Sequence, residues 1–451
     1  MKRLALFILS ALATLSVYAQ DITGQWNGML SVQGQQLRLV LHVVRADTGY
    51  TATVDSPDQG AKGIPVTTVT FKDPVLRFEI TSLHIEYSGE LKGGLISGTF
   101  KQGGMSMPMD LSRAAVEKKA VVRPQEPAKP YPYPSEEVTF ENKKANITLA
   151  GTLTLPAKEG IFPVVVLISG SGPQNRDEEV MGHKPFLVLA DHLARNGIAV
   201  LRYDDRGTAG SKGNFATATS EDFATDVEAA MLYLQTRREI NKKKIGLVGH
   251  SEGGLIAPMV AARNKDVAFM VLLAGPGVPG DQLLLLQTEK LARASGADET
   301  AVQKVKEINK GAYALVAHTS NTEALQAALT AYLQQQIKDK DQLKAQVAQM
   351  TAPWMRYFIR YNPVPVLQKV KVPVLALNGA KDLQVPAQEN LEGIRKALAK
   401  NKNATIKELP GLNHLFQEAS TGLPQEYGTI EQTISPIAIT EISGWIGRLT
   451  Q

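Results

Sequence analysis

Five short and almost uninterrupted apolar runs recur through the last two thirds of the chain. They are residues 162–168, 197–203, 244–249, 267–273 and 373–378. A strand that is apolar on both faces belongs to a parallel sheet that is covered by helices. Helical patterns such as residues 186–194 and 222–234 lie between the runs. From about Glu137 onwards the sequence therefore predicts an α/β domain with a doubly wound, mostly parallel sheet.

The part of the chain before this domain has a different pattern. From Asp21 to about Arg113, strand-like segments rich in β-branched and aromatic residues alternate with glycine-containing breaks. This spacing predicts a small all-β domain, a barrel or a sandwich, over residues 20–113. Five prolines between Pro124 and Pro134 follow. Because they cannot continue a helix or join a sheet interior, residues 114–134 are predicted to form an extended linker.

The first residues have the layout of a targeting segment. Lys2 and Arg3 precede an apolar run from Leu4 to Val17, and small residues lie around Ala19. This layout is typical of a secretory signal peptide with cleavage near Ala19. The alternative is a membrane anchor, but the run is shorter than the ~20 apolar residues that span a bilayer. We predict that residues 1–19 direct export to the periplasm or the medium, and that the mature chain has no membrane span.

Composition narrows the chemistry that the chain can perform. The chain of 451 residues contains no cysteine, and its formal net charge is +5. The absence of cysteine excludes a thiol nucleophile, a disulfide framework and a cysteine-ligated zinc site. The charge is weak and well mixed along the chain, so it does not indicate nucleic-acid binding.

A Gly-x-Ser-x-Gly motif occurs at residues 249–253, between the apolar run 244–249 and the helical run 255–262. A serine in a tight turn between a strand and a helix presents its hydroxyl above the sheet, and flanking glycines let the neighbouring backbone pass close by. The N-terminus of the following helix favours developing negative charge. The alternative is a buried serine in an ordinary turn. The strand before and the helix after favour Ser251 as a nucleophile.

A nucleophilic serine needs a positioned base, and the base needs an orienting carboxylate. Downstream of Ser251 the histidines are His318, in a helical stretch, and His414, in a Gly/Pro turn after the strand-like residues 404–409. The turn favours His414. Between serine and histidine, only Asp382 directly follows a buried-strand run. We predict Ser251, Asp382 and His414 as the catalytic triad, in the chain order of α/β-hydrolases.

Two further stretches, residues 167–178 and 203–211, resemble the loops of bacterial exported serine esterases of the EstD type, in the α/β-hydrolase superfamily. The resemblance implies a hydrolase domain over residues 135–451 that is preceded by a smaller domain. It implies an oxyanion hole of two backbone N–H groups, one from Glu252 and one from the first loop. Ser171 is the first choice for the second donor and Gly170 is the alternative.

The charged residues of these loops allow two interpretations. Arg176, Asp177 and Arg206 either form ion pairs that support the loops or are solvated loop charges.

A mostly helical insertion is predicted over residues 277–363, where the resembling fold carries a cap over the active site. Its leucines either line an acyl site or pack on the sheet. We predict a carboxylesterase that cleaves small-molecule esters of short or medium acyl chains through an acyl-enzyme, without a metal or organic cofactor. One alternative is a serine peptidase of the prolyl-oligopeptidase type, although no propeller-like repeat precedes the hydrolase domain. Another is a ligand-binding protein with a vestigial hydrolase domain.

Overall fold

A computed structural model describes residues 21–32, 35–102, 105–117 and 122–451. The predicted signal peptide, residues 1–19, lies outside the described residues. The chain divides into two compact units, residues 1–120 and 121–451. Within the described ranges, no helix combines the length and the apolar character needed to cross a membrane.

The first unit is a single antiparallel sheet of nine strands in the order β4-β3-β2-β1-β9-β8-β7-β6-β5. Its strands are β1 (Gly24–Val32), β2 (Gln35–Ala46), β3 (Gly49–Ser56), β4 (Ala61–Pro65), β5 (Thr68–Lys72), β6 (Val75–Ile80), β7 (Ile85–Lys92), β8 (Leu95–Gln102) and β9 (Met105–Ser112). Alternate side chains of β7 are buried, as expected of a strand with one face towards a core. Side chains from all nine strands meet in one apolar cluster. The sheet is therefore curved into a half-barrel and is not a sandwich of two sheets.

The second unit contains a sheet of eight strands in the order β10-β11-β13-β12-β14-β15-β16-β17. The strands are β10 (Ser135–Asn142), β11 (Ile147–Thr154), β12 (Phe162–Ile168), β13 (Ala199–Tyr203), β14 (Ile240–His250), β15 (Val267–Leu273), β16 (Val374–Gly379) and β17 (Ala404–Leu409). β12 to β17 pair in parallel, whereas the hairpin of β10 and β11 joins the edge of β13 antiparallel. The mostly parallel sheet is confirmed, and the edge hairpin has no counterpart in the prediction.

Helices cover both faces of this sheet. They are α1 (Pro185–Arg195), α2 (Ser220–Thr236), α3 (Glu252–Ala261), α4 (Gly280–Ala294), α5 (Glu299–His318), α6 (Thr322–Leu333), α7 (Lys340–Thr351), α8 (Pro353–Arg360), α9 (Val364–Leu367), α10 (Ala387–Ala397) and α11 (Pro436–Thr450). α2, α3 and α10 pack into one apolar cluster, and α1 and α11 pack into another. The doubly wound α/β-hydrolase arrangement is thus confirmed.

The helices α4 to α8, which we call the cap, occupy the predicted insertion between β15 and β16. Four of them, α5 to α8, share an apolar cluster of their own. The continuous helical pattern from Glu323 to Met350 is in fact two helices. Asp339 ends the connection between them, because its side chain accepts a hydrogen bond from the amide of Gln342 and so caps a new helix. Leu283 packs into the apolar cluster of the sheet. This contact agrees with the interpretation that the cap leucines pack on the sheet.

The second half of the proline-rich stretch is held on the second unit. The Arg123 guanidinium donates hydrogen bonds to the carbonyls of Gly182 and Gly428. Gln125 donates to the carbonyl of Ile434 at 2.7 Å. Prolines exclude regular structure, but they do not prevent the polar side chains between them from binding a neighbouring surface. The structure therefore places this part of the predicted linker against the rest of the second unit.

Candidate active site

Ser251 alone connects β14 to α3, and its backbone is strained. Its φ of 52° and ψ of −116° lie outside the regions that residues other than glycine ordinarily adopt. The flanking glycines are required by close packing. A Cβ on Gly249 would lie 2.0 Å from the carbonyl oxygen of Gly253, and one on Gly253 would lie 2.1 Å from that of Ile168. The structure thus places Ser251 in the predicted turn between strand and helix.

Asp382 and His414 lie at the same edge of the sheet and contact each other. Asp382 follows β16 and His414 follows β17. The Nδ1–H of His414 donates to Asp382 Oδ2 at 2.8 Å, and both side chains are buried. Asp382 Oδ1 accepts hydrogen bonds from the amides of Gln384 and Val385. A carboxylate fixed in this way can hold one tautomer and one orientation of the imidazole.

His250, which precedes Ser251 in sequence, contacts the loop that carries His414. Its ring centroid is 4.8 Å from that of His414, and its Nε2 is 2.9 Å from the carbonyl oxygen of His414. Among the described residues, no hydrogen bond joins the Ser251 hydroxyl to the His414 imidazole. Such bonds are often loose without substrate and tighten when it binds. The structure therefore joins Asp382 and His414 directly, and it joins His414 to Ser251 through His250.

Glu178 connects His250 to Gly170, which lies in the loop after β12. Its Oε1 accepts hydrogen bonds from the amide of Gly170 at 2.7 Å and from His250 Nδ1 at 2.9 Å. Both ring nitrogens of His250 face acceptors, so the ring donates twice and carries a positive charge. Burial alone lowers the pKa of His250, but the charge and hydrogen bond of Glu178 outweigh it and raise the pKa. Neither Glu178 nor His250 was assigned a role from the sequence, although both lie in stretches that it singled out.

The predicted donors of the oxyanion hole differ in availability. The Gly170 amide is already bound to Glu178 Oε1, which leaves it unable to serve an oxyanion. The loop still lies against Ser251, since a Cβ on Gly170 would be 3.3 Å from Ser251 Cβ. The amides of Ser171 and Glu252 have no hydrogen-bond acceptor within the described part of the chain.

The side chain of Glu252 ties the turn to two helices. Its Oε1 accepts hydrogen bonds from the Ser220 hydroxyl at 2.6 Å and from Trp354 Nε1 at 2.7 Å. Ser220 begins α2, and Trp354 lies in α8 of the cap. Burial raises the pKa of Glu252, although both hydrogen bonds act to lower it. The residue that follows Ser251 therefore fixes the cap over the turn.

Ion pairs hold the loops around the site. Of the two interpretations of the loop charges, the structure therefore supports ion pairs and not solvated charges. Arg176 binds both oxygens of Asp204, at 3.1 and 2.8 Å. Arg206 binds both oxygens of Asp226, at 2.7 and 2.9 Å. A third pair joins Arg202 to Asp177. Within the described ranges, no group of three or more histidine, aspartate and glutamate side chains is arranged to hold a metal ion.

Known proteins resemble parts of this chain. The family described as serine aminopeptidase, S33, matches residues 184–418. Esterase EstD from Thermotoga maritima is 29% identical over an alignment of 324 positions, and the alignment covers 68% of this chain and 68% of that protein. An uncharacterized protein, PA2218 of Pseudomonas aeruginosa, is 30% identical over 136 residues, 30% of this chain and 35% of that protein. Among solved structures, the esterase Pf2001 of Pyrococcus furiosus matches with a TM-score of 0.44 and 14% identity, covering 71% of this chain and 94% of that one.

Proposed function

Since the chain belongs to the serine aminopeptidase S33 family of α/β-hydrolases, we propose that it hydrolyses carboxylic esters of short or medium acyl chains with Ser251 as the nucleophile. One observation carries the proposal. Ser251 occupies a strained turn at the end of β14, at the sheet edge where the His414–Asp382 pair follows β16 and β17. The name of the T. maritima relative, an esterase, supports an ester as the substrate.

The reaction proceeds in two displacements. His414 Nε2 accepts the Ser251 proton as the serine oxygen attacks the ester carbonyl carbon, and the C=O π electrons move onto oxygen. The tetrahedral oxyanion collapses, the alcohol leaves with the proton from His414, and an acyl-Ser251 ester remains. Water then gives a proton to His414 and attacks the acyl carbon. Collapse of the second intermediate releases the acid and returns the proton to Ser251.

Two backbone amides stabilise the oxyanion in this proposal. Glu252 N–H stands at the N-terminus of α3, where the helix dipole favours negative charge. Ser171 N–H supplies the second bond, because the neighbouring Gly170 N–H is held by Glu178. Removal of one such donor from an oxyanion hole raises the free energy of the transition state by about 2.7–4 kcal/mol.

The test is hydrolysis of p-nitrophenyl acetate and butyrate by the purified chain. We expect Ser251→Ala to lower kcat/KM by at least about 10³-fold and to abolish labelling by a fluorophosphonate. Ser295→Ala, an exposed serine at the end of α4, serves as the matched control and should leave both unchanged. Absence of turnover by the unaltered chain, or equal turnover by Ser251→Ala, would exclude the proposal.

A peptidase is the second candidate, because the family description names an aminopeptidase. A carboxylate near the nucleophile could bind the α-ammonium group of an aminopeptidase substrate. Three carboxyl groups near Ser251 already have partners: Glu178 binds Gly170 and His250, Glu252 binds Ser220 and Trp354, and Asp382 binds His414. Both glutamates use only Oε1 for these bonds, so the geometry alone does not separate the two substrate classes. The esterase name of the T. maritima relative is what favours ester over aminoacyl substrates. Faster turnover of aminoacyl p-nitroanilides than of p-nitrophenyl esters would reverse that preference.

We also propose that residues 1–19 direct export. The support is the sequence of Lys2, Arg3 and the apolar run that follows. Expression in a Gram-negative host and mass spectrometry of the periplasmic fraction should give a chain that begins near Gln20. Recovery of only the uncleaved chain in the cytoplasm would contradict this proposal.

A further inference from the structure

The half-barrel of the first unit encloses an apolar cavity of about 450 Å³. Protein interiors contain few voids larger than a water molecule. By comparison, an apolar cavity of ~150 Å³ holds a benzene molecule, and ligand sites in proteins run from roughly 300 to 1,000 Å³. The cavity therefore has the size of a ligand site and is too large to be a packing defect.

The cavity is open at one end and closed at the other. Met105, Met107, Met109 and Leu111 face inward along β9. Met105 is 49% exposed, whereas Met109 and Leu111 are 2% and 1% exposed. Leu83, which is 40% exposed, lines the cavity as well. The burial gradient along β9 shows that the opening lies at its beginning and that the interior deepens towards its end.

An aromatic side chain lies beyond the deep end. Gly28 pairs with Leu111, so the inward-facing Trp26 lies beyond Leu111 on the neighbouring strand. The indole is buried, its Nε1 donates to the carbonyl of Ile22 at 2.8 Å, and the Arg113 guanidinium lies 3.9 Å above the ring. A cation on one face of the indole and a hydrogen bond at its edge fix the ring in this position.

The lining selects an aliphatic ligand. None of the described residues that line the cavity is charged. The polar ones already have partners: the Ser56 hydroxyl donates to Gln59 at 2.8 Å, and Gln102 donates to the carbonyl of Leu83 at 3.2 Å. Three of the remaining side chains are methionines, which adapt their shape to flexible apolar ligands. Six residue steps separate Met105 from Leu111, a depth of about 20 Å in an extended strand, which suits an extended alkyl chain.

From this geometry we propose that the first unit binds one long-chain aliphatic molecule, a fatty acid or its ester. The alkyl chain runs along β9 towards Trp26, and the polar head lies at the open end beside Met105 and Leu83. This binding site is separate from Ser251 and does not depend on the hydrolytic activity proposed for the second unit.

Energy transfer from tryptophan locates the ligand. The probe is cis-parinaric acid, a fluorescent polyene fatty acid, added to the full chain. We expect saturable binding near one equivalent and probe emission on tryptophan excitation. Trp26→Phe should remove most of this transferred emission. Trp354→Phe, the matched substitution in α8 of the second unit, should have the smaller effect. A larger loss with Trp354→Phe, or no binding at all, would overturn the proposal.

Filling the cavity provides a second test. Met107→Trp and Leu39→Trp add bulk to its lining, so each should raise the dissociation constant of directly excited cis-parinaric acid by at least about tenfold. Val44→Trp adds the same side chain on the exposed face of β2, where Val44 is 60% exposed, and should not. Circular dichroism verifies folding of each variant. Folded filling variants that bind as tightly as the unaltered chain would overturn the proposal, and the Trp26 result stands even if neither filling variant folds.

Discussion

At the scale of single residues, Glu178 has two partners on different segments of the site. One carboxylate oxygen holds the Gly170 amide, in the loop after β12, and the His250 ring beside Ser251. The other side of that ring holds the carbonyl of His414. The pair of Glu178 and His250 therefore positions three segments whose relative placement the reaction depends on.

Glu178→Gln should weaken both stability and catalysis. The substitution leaves the buried His250 cation without its counter-charge, which costs up to about 3–5 kcal/mol in the free energy of unfolding. We expect kcat to fall more than KM changes, because substrate contacts remain while the loops lose their support. Denaturant unfolding and ester kinetics measure the two effects. Glu179→Gln, at the neighbouring exposed position, is the control, and an equal effect of both substitutions would contradict the assignment.

Asp205 should make stability depend on pH. Its carboxyl group is buried and accepts hydrogen bonds from Ser169 and the amide of Gln174, and burial raises its pKa to about 8. Its proton is therefore held more tightly in the folded chain. The favourable contribution is fully present below the unfolded pKa of ~4 and is lost as pH rises through about 8.

Asp205→Asn lacks this titration. We expect the free energy of unfolding of the variant, relative to the unaltered chain, to improve by up to a few kcal/mol between pH 5 and pH 9. Denaturant unfolding at several pH values measures the difference. Asp266→Asn, at an exposed position, should show no such trend. A difference for Asp205→Asn that stays constant with pH would contradict the prediction.

At the scale of elements, one hydrogen bond ties the cap helix α8 to the turn at Ser251. Trp354→Phe removes the donor to Glu252 and leaves that buried carboxyl group with Ser220 alone. We expect the free energy of unfolding to fall by about 1–3 kcal/mol. KM for longer acyl esters should change more than KM for acetate, because α8 would move relative to the turn. Trp445→Phe, in α11 on the other face of the sheet, is the matched control. Equal shifts of KM for all chain lengths would argue against a tether.

The sequence predicts elements best where one physical signal dominates. The parallel strands are apolar on both faces, so residues 162–168 and 267–273 are identified at their observed bounds. The edge hairpin is not predicted because β10 begins with the exposed residues Ser135, Glu136 and Glu137, and such a polar start resembles a loop. The long helical pattern from Glu323 has apolar residues on both sides of its break. Only Asp339, the N-cap residue of α7, indicates that a second helix begins there.

For the site, motif and chain order lead to the proposal of Ser251, Asp382 and His414, because each follows a strand that the sequence reveals. Glu178 and His250 could not be identified in this way. Their pairing joins residues 72 positions apart, and nothing local to either residue specifies the partner. The sequence predicts the Glu252 amide as an oxyanion-hole donor, but it does not predict the bonds of the Glu252 side chain to Ser220 and Trp354, which are also distant in the chain. Contacts between distant segments decide these roles.

At the scale of the whole molecule, the two units have separate cores. The apolar cluster of the first unit contains residues from Ile22 to Leu111, and those of the sheet in the second unit contain residues from Val138 to Ile446. Separate cores allow separate unfolding transitions, so a single free energy of unfolding need not describe the chain.

Ile96→Ala should test this separation. Ile96 is fully buried in the first unit, and its truncation should lower the stability of that unit by about 2–5 kcal/mol. Calorimetry should show one transition shifted and the other unmoved, with kcat/KM for p-nitrophenyl acetate unchanged. Leu247→Ala, fully buried in β14, should shift the other transition and lower activity. A fall in kcat/KM for Ile96→Ala while the second transition stays in place would contradict independent units.

The strained turn at Ser251 also makes the protein a convenient object for spectroscopy. The chain has no cysteine, so Ser251→Cys would introduce its single thiol at the tip of that turn. A thiol-reactive spin label or fluorophore would then attach at one position, with no native residue to remove first. The label would report on the mobility and polarity of its surroundings at the turn, and a change in its signal in the Trp354→Phe background would show that α8 influences them.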